Sequence, residues 1–173
     1  PADAVSCEKL VEEAAKHKGN VYIRTTRKDT PIIYGVHEEF PIGGSKTLKE
    51  SSNDRVSVIG SGVTVFEALA AYDELQKVGI SIRVIDLYSI KPIDTATLQK
   101  AAKETKAIIT VEDHYPEGGI GEAVAAALGD SPTPVYSLAV RKIPKSGKPE
   151  ELLDYEEISK NAIIKKVKDL IKK

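Results

Sequence analysis

Val5, Leu10, Val11, Ala14 and Ala15 alternate with Glu8, Lys9, Glu12, Glu13 and Lys16 at the helical period, which predicts a helix over residues 5–17. Gly19-Asn20 stops it, and Val21-Tyr22-Ile23 predicts a strand. One helix and one strand cannot bury both their faces, so this unit reads as the tail of a larger domain. From Thr30 to Asn53 the periodicity fails among Pro31, Gly35, Pro41, Gly43, Gly44 and Ser51-Ser52-Asn53. The apolar pieces Ile32-Ile33-Tyr34 and Phe40-Pro41-Ile42 predict an ordered connector that packs on both sides.

A regular alternation follows. Strands are predicted over 55–59, 80–87, 107–111 and 135–140. Helices are predicted over 63–77, from an Asp94 N-cap through Thr105, after Gly121, and over 158–171. Strands separated by helices of this length require right-handed crossovers and a largely parallel sheet. The strands are continuous apolar runs, as expected where helices cover both faces. The fold class is therefore α/β, a three-layer α/β/α arrangement with a mostly parallel sheet. In the last helix Ile163, Ile164, Val167, Leu170 and Ile171 form one side, while Lys160, Lys165, Lys166 and Lys168 line the other; Lys172-Lys173 suit the negative end of its dipole.

Composition narrows the classes. The 173 residues are 41% hydrophobic and 29% charged, enough for a core and a solvated surface. A net charge of −1 provides no global attraction for nucleic acid or an acidic membrane, and the lysine-rich helix face has no interleaved aromatic residues. Apolar runs are too short to span a bilayer, and Cys7 is the single cysteine, which fits a reducing, cytoplasmic setting. The chain opens at Pro1 and contains no methionine, and we read it as a piece of a longer protein.

Three stretches carry candidate chemistry. Gly60-Ser61-Gly62, with Asp86 further on, is a partial dinucleotide fingerprint; Val65 stands where its third glycine belongs, which favours a plain strand-to-helix turn. Glu112-Asp113-His114 with Glu117 lies at a strand end, where open α/β sheets bind ligands. Alternation along an extended chain prevents all four from meeting one ion. Glu112 and His114 share a side and suit an acid–base pair, yet no nucleophile or cofactor cradle accompanies them, so a hydrogen-bonded loop at a domain or subunit contact is the better account. Arg24-Thr25-Thr26-Arg27-Lys28 is the best anion-binding candidate, since arginine matches phosphate in a planar fork; a solvated charge run is the alternative.

The run from Val111 through Glu112-Asp113-His114-Tyr115-Pro116-Glu117-Gly118-Gly119-Ile120-Gly121 to Val124 resembles the signature of the transketolase C-terminal domain in its animal-like form. Residues 58–64 with Glu67-Ala68-Leu69, residues 82–87 with 90–94, and the loop 144–153 resemble further parts of that domain. Residues 1–5 and 23–27 resemble the end of the preceding pyrimidine-binding domain. Two departures stand out: Lys145 replaces the expected arginine, and Asp154-Tyr155-Glu156-Glu157-Ile158 lacks the usual aromatic-Gly-Ile turn.

The resemblance implies residues 1–39 as the tail of a thiamine pyrimidine-binding domain plus connector, and residues 40–173 as the C-terminal domain. It implies a homodimeric transferase of the pentose phosphate pathway that moves a two-carbon ketol unit between ketose and aldose phosphates. That enzyme uses thiamine diphosphate and Mg2+ or Ca2+, held by regions absent from this chain, so the isolated chain is expected to be inactive. It assigns one substrate contact, Arg27, to the sugar phosphate, and no catalytic, cofactor or metal-binding residue. The alternatives are a related thiamine enzyme, either a 2-oxo-acid dehydrogenase beta subunit or a deoxyxylulose-phosphate synthase, or a non-catalytic interaction or regulatory module. The Ser146-Gly147-Lys148-Pro149 loop argues against both thiamine alternatives.

Overall fold

The computed structural model describes residues 1–172. The expected contribution of Lys173 to the last helix dipole lies outside the described residues. Helix α1 (Ala4–Lys16) begins at an Asp3 capping box, in which the Asp3 side chain accepts from the Ser6 amide and Ser6 Oγ accepts from the Asp3 amide. The predicted strand at Val21-Tyr22-Ile23 does not form: among the described residues no strand lies beside it, and Tyr22 is 86% exposed. Without a neighbour to take its backbone N–H and C=O groups, β propensity alone does not make a strand.

The connector is ordered, as expected, and holds a short strand absent from the sequence reading, β1 (Lys46–Lys49). The alternation that follows is β2 (Val56–Gly60), α2 (Val63–Gln76), β3 (Ile82–Asp86), α3 (Thr95–Glu104), β4 (Ile108–Val111), α4 (Ile120–Leu128) and β5 (Val135–Leu138). A helix not anticipated, α5 (Pro149–Tyr155), precedes α6 (Lys160–Ile171), which begins two residues later than expected. Pro149 at its first position, and Glu150 and Glu151 in its first turn, are helix-start signals that the loop reading passed over.

The sheet order is β1-β3-β2-β4-β5. Strands β2, β3, β4 and β5 run parallel, and β1 pairs antiparallel with β3 at the edge. One face carries α2 and α6, whose Ala68, Ala71, Leu75, Ile163 and Val167 cover Val56, Val58, Val84, Ile109 and Val111. The other carries α3 and α4, whose Leu98, Ala101, Ile120 and Val124 cover Ile59, Ile85, Leu87 and Ile108. The three-layer expectation therefore holds. A third cluster joins Ala2 and Val5 to Tyr34, Phe40, Val65 and Tyr88, so the N-terminal residues and connector pack onto the β3 and α2 side of the sheet.

Candidate functional site

Strands β2 and β4 are neighbours, and their following helices α2 and α4 lie on opposite faces. Their carboxyl ends form the topological switch point, the usual ligand crevice of such sheets. Here the chain closes it. Thr64 Oγ1 accepts the Ser61 N–H at 3.0 Å and donates to the Val111 carbonyl at 2.8 Å, bridging the two strand ends. At Gly62 (φ 60°) the turn meets the Pro1 carbonyl, 3.6 Å from where a Cβ would stand. Asp86, the acidic candidate of the dinucleotide reading, is buried and accepts the Tyr34 hydroxyl at 2.6 Å. Burial pushes its carboxyl up to about 6. The turn is filled by protein, consistent with a strand-to-helix connection.

The signature segment is built around Glu112, which is 1% exposed. Its carboxylate accepts the Ile120 N–H, the Gly121 N–H at 3.2 Å and the Ser137 hydroxyl at 2.9 Å. Ile120 and Gly121 open α4, so Glu112 occupies the positive helix end where an external anion would otherwise bind. The glycines follow from this arrangement. A Cβ on Gly119 would lie 2.2 Å from Glu112 Oε2, one on Gly121 would lie 2.9 Å from Ser137 Cβ, and Gly118 adopts φ +70°.

His114 reaches the same carboxylate, with Nδ1 3.4 Å from Glu112 Oε2 and 2.9 Å from the Tyr115 carbonyl. Both neighbours are acceptors, which selects the tautomer with the proton on Nδ1. The expected pairing of Glu112 and His114 thus exists, in a carboxylate already engaged by three other donors. Such saturation suits anchoring, and leaves no lone pair aimed at a substrate. Asp113 points away, toward Arg24, and Glu117 is exposed. Among the described residues no group of three or more His, Cys, Asp or Glu side chains is arranged to hold a metal ion.

The cationic set lies beside this segment. Arg24 Nη1 and Nη2 donate to the two Asp113 carboxylate oxygens at 2.6 and 3.2 Å, a bidentate pair that raises the Arg24 pKa through its hydrogen bond. Lys28 Nζ stands 3.4 Å from Glu150 at the start of α5. Arg27, between them, is exposed and makes no hydrogen bond or salt bridge among the described residues.

Sequence reasoning missed one cluster. Arg83, 3% exposed, meets Glu104 at 2.6 Å, Glu50 at 3.1 Å and Asp54 at 3.5 Å near the amino end of β3. An arginine inside the apolar run 82–87 was the available signal, since a buried cation requires carboxylate partners.

A mostly parallel three-layer domain with an internally anchored Gly-Gly turn is the class that these features define. The family described as "Transketolase, C-terminal domain" matches residues 45–163, and the chain belongs to it. Transketolase-like protein 1 of Bos taurus is 54% identical over the whole chain, which spans 29% of that protein. Transketolase of Mus musculus is 51% identical over the whole chain, which spans 28% of it. Among solved structures, a split gene transketolase in an inactive beta4 tetramer superposes with a TM-score of 0.93 at 33% identity, over 99% of this chain and 56% of that one. The chain thus spans less than a third of the length of the curated relatives it matches.

Proposed function

We propose that this chain works as the C-terminal portion of a transketolase, a homodimeric cytoplasmic enzyme that transfers a two-carbon ketol unit between sugar phosphates with thiamine diphosphate and a divalent cation. Its own contribution is a domain that packs against the remaining domains, and one substrate-phosphate ligand, Arg27. Residues 1–39 are then the tail of the pyrimidine-binding domain, and residues 40–173 the C-terminal domain. Support comes from relatives named transketolase and transketolase-like at about half identity. The observation that carries the substrate role is Arg27 itself, an exposed guanidinium with no hydrogen-bond or ion-pair partner among the described residues, between two tethered neighbours.

The residues present do not fit the thiamine cofactor. The Ser61 amide is taken by Thr64, the Glu112 carboxylate by α4, and Asp86 by Tyr34. We therefore assign thiamine diphosphate and its metal ion to regions outside this chain and route no chemical step through these side chains. The inactive tetramer of the split gene relative accords with a chain that folds and assembles without turnover.

The 173-residue chain supplied with thiamine diphosphate and magnesium should show no ketol transfer, and turnover above background would overturn the assignment. In the enzyme assembled with its other domains, Arg27→Ala should raise KM for phosphorylated sugars by loss of a charge-assisted contact. An unchanged KM would remove Arg27 from the site.

A further inference from the structure

Between His17 and Ile33 the chain has no regular secondary structure, and almost every residue is exposed. Over residues 18–32 its polar ties to the rest of the molecule, among the described residues, are two ion pairs, Arg24 to Asp113 and Lys28 to Glu150. They flank Arg27, three residues before it and one after. The second pair is a single 3.4 Å contact between side chains 61% and 75% exposed, an arrangement that contributes little. The first is a two-pronged guanidinium–carboxylate fork with Asp113 only 31% exposed, which fixes direction as well as distance. Asp113 itself is held rigidly. Its neighbour Glu112 is locked to α4, and the His114 carbonyl accepts the Val140 amide at 3.0 Å.

We infer that Asp113 is a positioning residue for the phosphate contact: through Arg24 it fastens the Arg24–Lys28 segment to the end of β4, so that the Arg27 guanidinium is presented to an incoming phosphate group. This rests on the reading of Arg27 given above and assigns a task to the signature segment within it. The anchored Glu112 turn is the rigid base, Asp113 the hook, and Arg24 the eye. Three residues of chain hold the Arg27 Cα within about 11 Å of the Arg24 Cα even when fully extended, so a tether at Arg24 restricts the volume that Arg27 samples. Such a restriction acts on binding of a phosphorylated substrate and leaves the chemical step alone.

The test uses the assembled, cofactor-loaded enzyme and two donors, a ketose phosphate and an unphosphorylated ketose. Asp113→Asn and Arg24→Gln should each raise KM for the phosphorylated donor about two- to fivefold, the factor that an exposed ion pair supplies, with kcat unchanged. The double variant should be no worse than either single variant, and the exchanged pair Arg24→Asp with Asp113→Arg should recover most of the loss. KM for the unphosphorylated donor should not move. Equal losses on both donors, additive losses, or no loss would overturn the inference. If the wild-type assembly transfers no ketol unit, the functional reading fails instead. The tether is then judged on the isolated chain, by backbone amide order parameters of residues 22–28 and a titration of the Arg27 side-chain resonance with inorganic phosphate. Lower order and weaker phosphate binding in Asp113→Asn would uphold it; unchanged values would overturn it.

Discussion

Tyr34 and Asp86 are joined by a hydrogen bond of 2.6 Å that closes the connector onto the carboxyl end of β3. Tyr34 donates to Oδ2, while Oδ1 is buried and has no partner among the described residues. The pair holds one of the few polar seams between the N-terminal part of the chain and the sheet, and it does so with a carboxylate that burial disfavours.

This arrangement makes stability depend on pH. Burial raises the Asp86 pKa from 3.8 to about 6, against the lowering effect of the Tyr34 hydroxyl. A raised carboxyl pKa means the folded state binds the proton more tightly, so a destabilising contribution builds as pH rises from about 3.8 to about 6 and is complete above that. Asp86→Asn keeps an acceptor for Tyr34 and removes the charge. It should be more stable than wild type at pH 8, by an amount on the order of 1–3 kcal/mol, and gain nothing near pH 3.5. Urea denaturation of both proteins across that range checks it; a pH-independent difference would refute the buried-charge account.

Glu112 should behave as a structural anchor. Glu112→Ala leaves two backbone donors at the start of α4 and the Ser137 hydroxyl without their acceptor, at a cost of about 2–4 kcal/mol. Chemical denaturation should show the loss, and amide hydrogen exchange should place it in Ile120–Leu128. A stability within ±0.5 kcal/mol of wild type would contradict the anchoring role.

The glycines separate by mechanism. Gly119→Ala drives a Cβ to 2.2 Å from the Glu112 carboxylate and so must displace the anchor, whereas Gly118→Ala meets no atom within 4 Å and carries only the backbone penalty of φ +70°. The second should cost about 1–2 kcal/mol and the first distinctly more. Comparing unfolding midpoints ranks them, and the reverse order would mean that the turn relaxes freely around Gly119.

Arg83 offers a fourth check. Arg83→Met removes the cation that faces Glu50, Asp54 and Glu104, and leaves Asp54, with a side chain 2% exposed, to Ser51 alone. Breaking one side of a buried pair costs about 3–5 kcal/mol, and the loss should shrink when Asp54→Asn is added. Additive losses in thermal unfolding would show that the two side chains are not coupled.

The parallel core was legible because its strands are continuous apolar runs and its helices carry a 3.6-residue period. Both patterns are local consequences of burial on two faces. The signals for α5 and for β1 were weaker. Lys46-Thr47-Leu48-Lys49 is an edge strand with polar ends and no alternation long enough to read, and only its pairing with β3, Lys46 opposite Asp86, Thr47 opposite Ile85 and Lys49 opposite Val84, makes it a strand. Val21-Tyr22-Ile23 erred the other way. Its composition favours a strand, but a strand needs a neighbour, and propensity does not supply one. At the site, Glu112 and His114 could be placed on one side by spacing, while the donors that occupy Glu112 come from eight, nine and 25 positions away.

By itself the sequence determined the layered α/β core and the family, because side-chain periodicity and a specific run of residues encode them directly. Only the tertiary structure decided what the charged residues do. Whether Glu112 is free to react or locked to α4, and whether Arg24 or Arg27 is left open to a ligand, depends on donors and acceptors distant in the chain. Asp113 and Arg24 stand 89 positions apart, and no local pattern records that they meet.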